Sequence, residues 1–197
     1  MANQTQSIPS IASSSNYSDG VQNPSYDVFI SFRGVDTRNT FVDNLYAHLI
    51  RKGTCVFKDD KRLEKGESIS EQLLQAIKGS RLSIIVFSKN YASSSWCLDE
   101  MAAIADFKQE SHQTVFPVFY DVDPSDVRSQ RGVYQNDFDL HRCMNLVQGP
   151  DKIHRWERAM THFANSAGWD VRNKYVLRLL SLLCCILPYL MANLIFA

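Results

Sequence analysis

Two runs of almost unbroken apolar residues, DVFISF at 27–32 and SIIVF at 83–87, restrict this chain more than any other feature. A strand with one wet face alternates polar and apolar side chains, whereas a strand apolar throughout has to be covered on both faces. The cover lies between the runs. Phe41, Leu45 and Leu49 recur at helical spacing, with Thr37 or Asp36 placed to cap the start and Gly53 to close the end. The scheme then repeats, with 54–57 as strand, Ile69, Leu73 and Ile77 as a helix face, 82–87 as strand, 98–107 as helix and 114–120 as strand. Strands alternating with helices predict an α/β fold, a parallel sheet with helices on both faces. Ligands of such open sheets bind beyond the carboxyl ends of the strands. Arg33-Gly34 follow the first strand and residues 88–100 follow the third, so both stretches fall on that rim.

With 197 residues, 45% of them hydrophobic, the chain suits one domain with additions at its ends. Lys+Arg and Asp+Glu stand at 21 each, so no net field recruits nucleic acid. Cys55, Cys97, Cys143, Cys184 and Cys185 fall in no CxxC or Cys/His ligand spacing, which predicts unbridged thiols in a reducing compartment. Residues 1–24 lack the basic start and apolar run of a signal peptide, are rich in Ser, Asn and Gln, and read as a disordered extension. At the other end, residues 173–197 form a hydrophobic tail with no charge after Arg178. As a helix, 179–197 would span about 28 Å, near a bilayer core, with Arg172, Lys174 and Arg178 on one flank. Pro188 interrupts that helix, and the tail's first half reads equally as a last helix docking Val176, Leu179 and Leu183 on the sheet. Tail anchor and divergent last helix both remain open, and an undocked tail would be an oligomerisation surface.

Within SSWCLDE at 94–100, Trp96 and Glu100 stand at i and i+4, so in a helix both leave one face. The pair reads either as an aromatic plate beside an acid in a site, or as half-buried packing next to a solvated carboxylate. Cys97 reads as a small core residue or a second functional group. Arg33 reads as a turn cation or a partner for a phosphate. Asp121, Asp123 and Asp126 lack the glycine and terminal glutamate of a calcium loop, Pro124 fixes a turn among them, and no metal site is expected. His112, His141, His154 and His162 have no nucleophile in a matching motif, and His48 reads as a surface residue.

Four stretches together, YDVFISFRG at 26–34, DDKRLEKGESI at 59–69, FSKNYASSSWCLDE at 87–100 and FPVFYDVDPSDVRSQRG at 116–132, resemble the plant branch of the Toll/interleukin-1 receptor (TIR) domain over about 25–172. The resemblance implies a flavodoxin-like, five-stranded parallel sheet and cleavage of NAD⁺ at the nicotinamide–ribose bond, with NAD⁺ as substrate and no separate cofactor. It places the family's catalytic glutamate on Glu100, its aromatic partner on Trp96, and further substrate-binding positions on Phe32, Arg33 and Gly34. It also assigns self-association to the BB loop, here Asp60, Lys61, Arg62, Lys65, Gly66 and Glu67, and to the first helix. On that helix Asp43-Asn44 stand where plant members often carry Ser-His, which alters the polar chemistry of a symmetric contact.

Without a GxxxxGK[ST] loop the chain resembles a TIR-only immune protein. Implied partners are other copies of itself, TIR-containing immune receptors and, through its small-molecule products, lipase-like immune adaptors that trigger cell death. The implied location is cytoplasmic or nuclear, or at a membrane if the tail anchors. Two other classes remain: a non-catalytic adaptor using the same surfaces, and a flavodoxin-like small-ligand module, which the lack of a Gly-rich phosphate loop after the first strand disfavours.

Overall fold

The computed structural model describes residues 26–58, 70–111, 113–144 and 150–172. Five strands, β1 (Tyr26–Phe32), β2 (Val56–Lys58), β3 (Ser80–Phe87), β4 (Thr114–Phe119) and β5 (Trp169–Asp170), form one sheet in the order β2-β1-β3-β4-β5, every neighbour parallel. Parallel neighbours need crossovers, and helices supply them. After β1, α1 (Gly34–Thr37) passes through a π-helical turn (Arg38–Val42) into α2 (Asp43–Arg51); α3 (Glu71–Lys78) precedes β3 and α4 (Ser95–Ser111) follows it. Between β4 and β5 run α5 (Pro124–Ser129), α6 (Val133–Met144) and α7 (Pro150–Ala164).

The alternation of side chains along β1 divides the core into two layers. Val28, Ile30 and Phe32 join Leu82, Ile84 and Val86 of β3 beneath Phe41, Val42, Leu45 and Leu49. On the other face Phe29, Ile85 and Phe87 pack with Leu73, Ile77, Leu98, Met101, Ile104 and the fully buried Trp156. The continuous apolar runs therefore mark strands covered on both sides. Trp156 also ties the second layer together, donating its indole N–H to Asp99 at 2.8 Å, while Lys152 pairs with the same carboxylate at 2.9 Å.

Some local expectations need correction. Neither Thr37 nor Asp36 caps the first helix, because helical backbone begins earlier, at Gly34, with Arg33 as the extended residue before it. Thr37 instead donates to the Arg33 carbonyl, and Asp36 turns toward the loop after β3. Gly53 does close α2, with φ +79, a conformation that side chains with a Cβ resist. The second strand sits at Val56–Lys58, and α4 runs longer than its apolar spacing predicts, from Ser95 to Ser111. Asp123 caps α5, accepting from the Ser125 N–H at 2.8 Å with Pro124 in the first turn. Among the described residues no helix is long and apolar enough to cross a membrane. The expectations for 1–24, for the loop at 59–69 and for the tail from 173 fall outside the described residues.

Candidate functional site

The strand order reverses between β1 and β3, the kind of switch point at which doubly wound sheets bind ligands beyond the carboxyl ends of their strands. Ser31, Phe32 and Arg33 lie at the end of β1; Ser88, Asn90 and Tyr91 lie just past β3; α4 begins directly after. Sequence-predicted residues from two distant segments thus meet at one switch point.

Glu100 sits in the second turn of α4 and is only 3% exposed, so the solvated-acid reading does not hold. The buried Ser31 hydroxyl donates to its Oε2 at 2.6 Å. Ser31 Oγ lies 2.9 Å from the hydroxyl of Tyr91, itself fully buried, and that phenol reaches the Cys97 carbonyl at 3.0 Å. Burial, then Cys97 and Glu100 nearby, push the Tyr91 pKa well up, so the phenol stays a neutral donor. Trp96, one turn before Glu100, is half-buried against the second core layer.

Cys97 is buried, its thiol turned to the Phe32 carbonyl at 3.5 Å. Burial and then the Glu100 charge push that thiol up to about 12, which leaves it protonated and poorly nucleophilic at neutral pH. The geometry gives it a packing role beside the site.

Two arginines flank the end of β1. The Arg33 Nε is buried and has no hydrogen-bond partner among the described residues, while its charge lowers the pKa values of Cys97 and Asp137. Burial outweighs that help at Asp137, whose carboxyl is raised. Arg38 lies over the Phe32 ring at 5.2 Å and fills the space over Gly34, where an added Cβ would come within 2.8 Å of its Nη2. Gly34 therefore admits a guanidinium of its own chain. The sequence signal for Arg38 is its position four residues after Gly34 in RGVDTR, one helical turn away.

The loop after β3 is pinned from three sides. Asp36 accepts from Ser88 Oγ at 2.6 Å and from the Asn90 backbone and side-chain amides, both at 2.8 Å. Tyr134 of α6 donates to the Ser88 carbonyl at 2.8 Å, and His141 Nε2 meets the Ala92 carbonyl at 2.7 Å. Ser31, Asp36 and Tyr91 are site residues that sequence reasoning missed. The available signal is Ser31 as the lone polar residue of the apolar run 28–32.

On α2, Asp43 is exposed and pairs with Lys58 at 2.9 Å, the ammonium lying over the Tyr46 ring at 4.8 Å. Asn44, also exposed, donates to the Thr40 carbonyl at 2.6 Å. Both expected contact residues are at the surface, held by neighbours in the same chain. The BB-loop residues Asp60, Lys61, Arg62, Lys65, Gly66 and Glu67 lie outside the described residues.

Comparison with known proteins agrees with this fold. The TIR domain model matches residues 25–180. Disease resistance protein RPV1 of Vitis rotundifolia is 48% identical over 161 residues, covering 81% of this chain and 11% of its own length. TMV resistance protein N of Nicotiana glutinosa is 48% identical over 153 residues, covering 76% of this chain and 13% of its own. The chain thus spans little more than a tenth of the curated relatives it matches. Among solved structures, the TIR domains of the activated Roq1 resistosome directly recognizing the pathogen effector XopQ are 49% identical, with TM-score 0.72, covering 80% of this chain and 98% of that one. With its five parallel strands in the order β2-β1-β3-β4-β5 and a family match across nearly all of the sheet and its helices, the chain belongs to the TIR domain family.

Proposed function

We propose that the chain is an NAD⁺ nucleosidase of plant immune signalling, with Glu100 as the catalytic residue and activity that depends on self-association of TIR domains. The observation that carries this reading is a carboxylate at the switch point of the sheet, hydrogen-bonded by Ser31, with Trp96 one turn before it and the unsatisfied Arg33 Nε at the end of the neighbouring strand.

The chemistry suits a single carboxylate. Breaking the bond from ribose C1′ to the pyridinium nitrogen returns its electron pair to that nitrogen, and nicotinamide leaves neutral without a general acid. Positive charge then builds on the ribose, where a preorganised carboxylate is worth far more in a dry site than in water. Water adds to C1′ and loses a proton, giving ADP-ribose; internal attack by another nucleophile of the nucleotide would give a cyclised product. Trp96 offers a face for a ring to stack on, and Arg33 and Arg38 offer guanidinium groups to the pyrophosphate. Assembly enters through the BB loop of one copy completing the pocket of the next. Support for an immune role comes from relatives named as disease resistance proteins and from the Roq1 resistosome.

One observation favours a second reading, a non-catalytic adaptor for other TIR proteins: Glu100 is 3% exposed, and a substrate reaching it must displace a neighbour. Nicotinamide release from NAD⁺ separates the two. For the enzyme, release per molecule rises with protein concentration as copies assemble, and Glu100→Ala abolishes it while circular dichroism and self-association stay unchanged. Absence of release from wild type at every concentration, or full release from the variant, would overturn the proposal.

A further inference from the structure

Of the five buried residues of β1, Val28–Phe32, only Ser31 is polar, and it faces α4. A hydroxyl in a fully covered strand costs stability unless it is hydrogen-bonded, so its partners indicate what it does. They form a chain: Glu100 Oε2 to Ser31 Oγ at 2.6 Å, Ser31 Oγ to Tyr91 Oη at 2.9 Å, Tyr91 Oη to the Cys97 carbonyl at 3.0 Å.

Counting hydrogens fixes the direction of the link between Ser31 and Glu100. Ser31 and Tyr91 own one hydroxyl hydrogen each, and the Cys97 carbonyl can only accept. When Glu100 is ionised it can only accept as well, so Ser31 has to donate to it. Tyr91 then either donates to Ser31 or turns to Cys97, and donation to Ser31 polarises the Ser31 hydroxyl further toward the carboxylate. If Glu100 takes up a proton, its link to Ser31 can reverse: Glu100 donates to Ser31, Ser31 to Tyr91, and Tyr91 still donates to the Cys97 carbonyl. The charge on Glu100 therefore sets which way the Ser31 hydroxyl points, and the contact with Tyr91 helps fix where the Ser31 oxygen sits.

We propose that Ser31, backed by Tyr91, is the positioning residue for Glu100, holding its carboxylate in one orientation against the carboxyl end of β1. This deepens the nucleosidase reading and rests on it. Neither hydroxyl touches substrate: both are fully buried, and both act through Glu100. Their effect belongs to the transition state, where an oriented charge counts, and not to ground-state binding.

The test is steady-state nicotinamide release from NAD⁺ by the full chain under assembling conditions, comparing wild type, Ser31→Ala, Ser31→Thr, Tyr91→Phe and Glu100→Ala. Ser31→Ala is expected to lower kcat by about 10- to 100-fold with KM within about twofold of wild type. Ser31→Thr, which keeps the hydroxyl, restores most of the loss, and Tyr91→Phe falls between. An unchanged kcat in Ser31→Ala, a raised KM with kcat intact, or a folded Ser31→Thr as slow as Ser31→Ala would overturn the proposal. Should Ser31→Ala fail to fold, Tyr91→Phe carries the test, and wild-type kcat there would overturn it. The two levels separate cleanly: a dead Glu100→Ala with a fully active Ser31→Ala removes only the positioning role, whereas an active Glu100→Ala or an inactive wild type removes the nucleosidase reading and this inference with it.

Discussion

Glu100 and Cys97 are close neighbours on α4 and are buried to the same degree, yet burial leads them to opposite ends. The carboxylate meets a donor from β1, which offsets part of what it loses in leaving water. The thiol turns to the Phe32 carbonyl, and burial and then the carboxylate charge nearby raise its pKa to about 12 despite the opposing effects of Ser94 and Arg33. Because the thiolate is the reactive form, Cys97 stays inert well above physiological pH. Alkylation of the native chain at pH 8, mapped by peptide mass spectrometry, is therefore expected to label the exposed Cys143 and leave Cys97 unmodified until the protein is denatured. Labelling of Cys97 in the native chain at the rate of Cys143 would contradict the burial and protonation argued above.

The loop after β3 carries Tyr91 into the site, and its shape rests on α1 and α6 as much as on its own sequence. Asp36 replaces solvent for one hydroxyl and two amides of that loop, so Asp36→Ala leaves three donors without their acceptor. The expected cost is about 1–3 kcal/mol, read as a lower midpoint in chemical denaturation; a midpoint equal to wild type would mean that water serves the loop as well. This staple also marks the limit of what the residues alone disclose. Val28–Phe32, the Phe41/Leu45/Leu49 face and the 83–87 run announce their elements through period and apolarity, because burial on a sheet or helix face is a local pattern. Asp36 and Tyr91 act across 54 and 60 residues of chain, and no local pattern encodes a partner at that distance. The two-residue β5 is too short for a period, and the break into α5, α6 and α7 follows turns and the packing of α7 on α4 and of α5 and α6 on α7. Asp36 also shows how a cap-like residue at a helix start is redirected when a tertiary partner competes for its carboxylate.

The sheet brings these groups to one rim: β1 contributes Ser31 and leads into Arg33, β3 delivers the loop with Tyr91, and α4 supplies Trp96 and Glu100. A parallel sheet ordered β2-β1-β3-β4-β5 makes that convergence unavoidable, since the strands on both sides of the switch point end on the same rim. Family membership and fold define the rim on which the candidate site lies, while the proposed chemistry depends on one charge within it. The decisive comparison is Glu100→Gln, whose amide keeps the volume and a carbonyl acceptor for Ser31 but removes the negative charge. Measured as nicotinamide release from NAD⁺ by assembled full-length chain, turnover is expected to fall by about 10²-fold or more, with KM and the denaturation midpoint close to wild type. Turnover at the wild-type rate in that variant would contradict the account, because it would show that the Glu100 charge takes no part in breaking the bond.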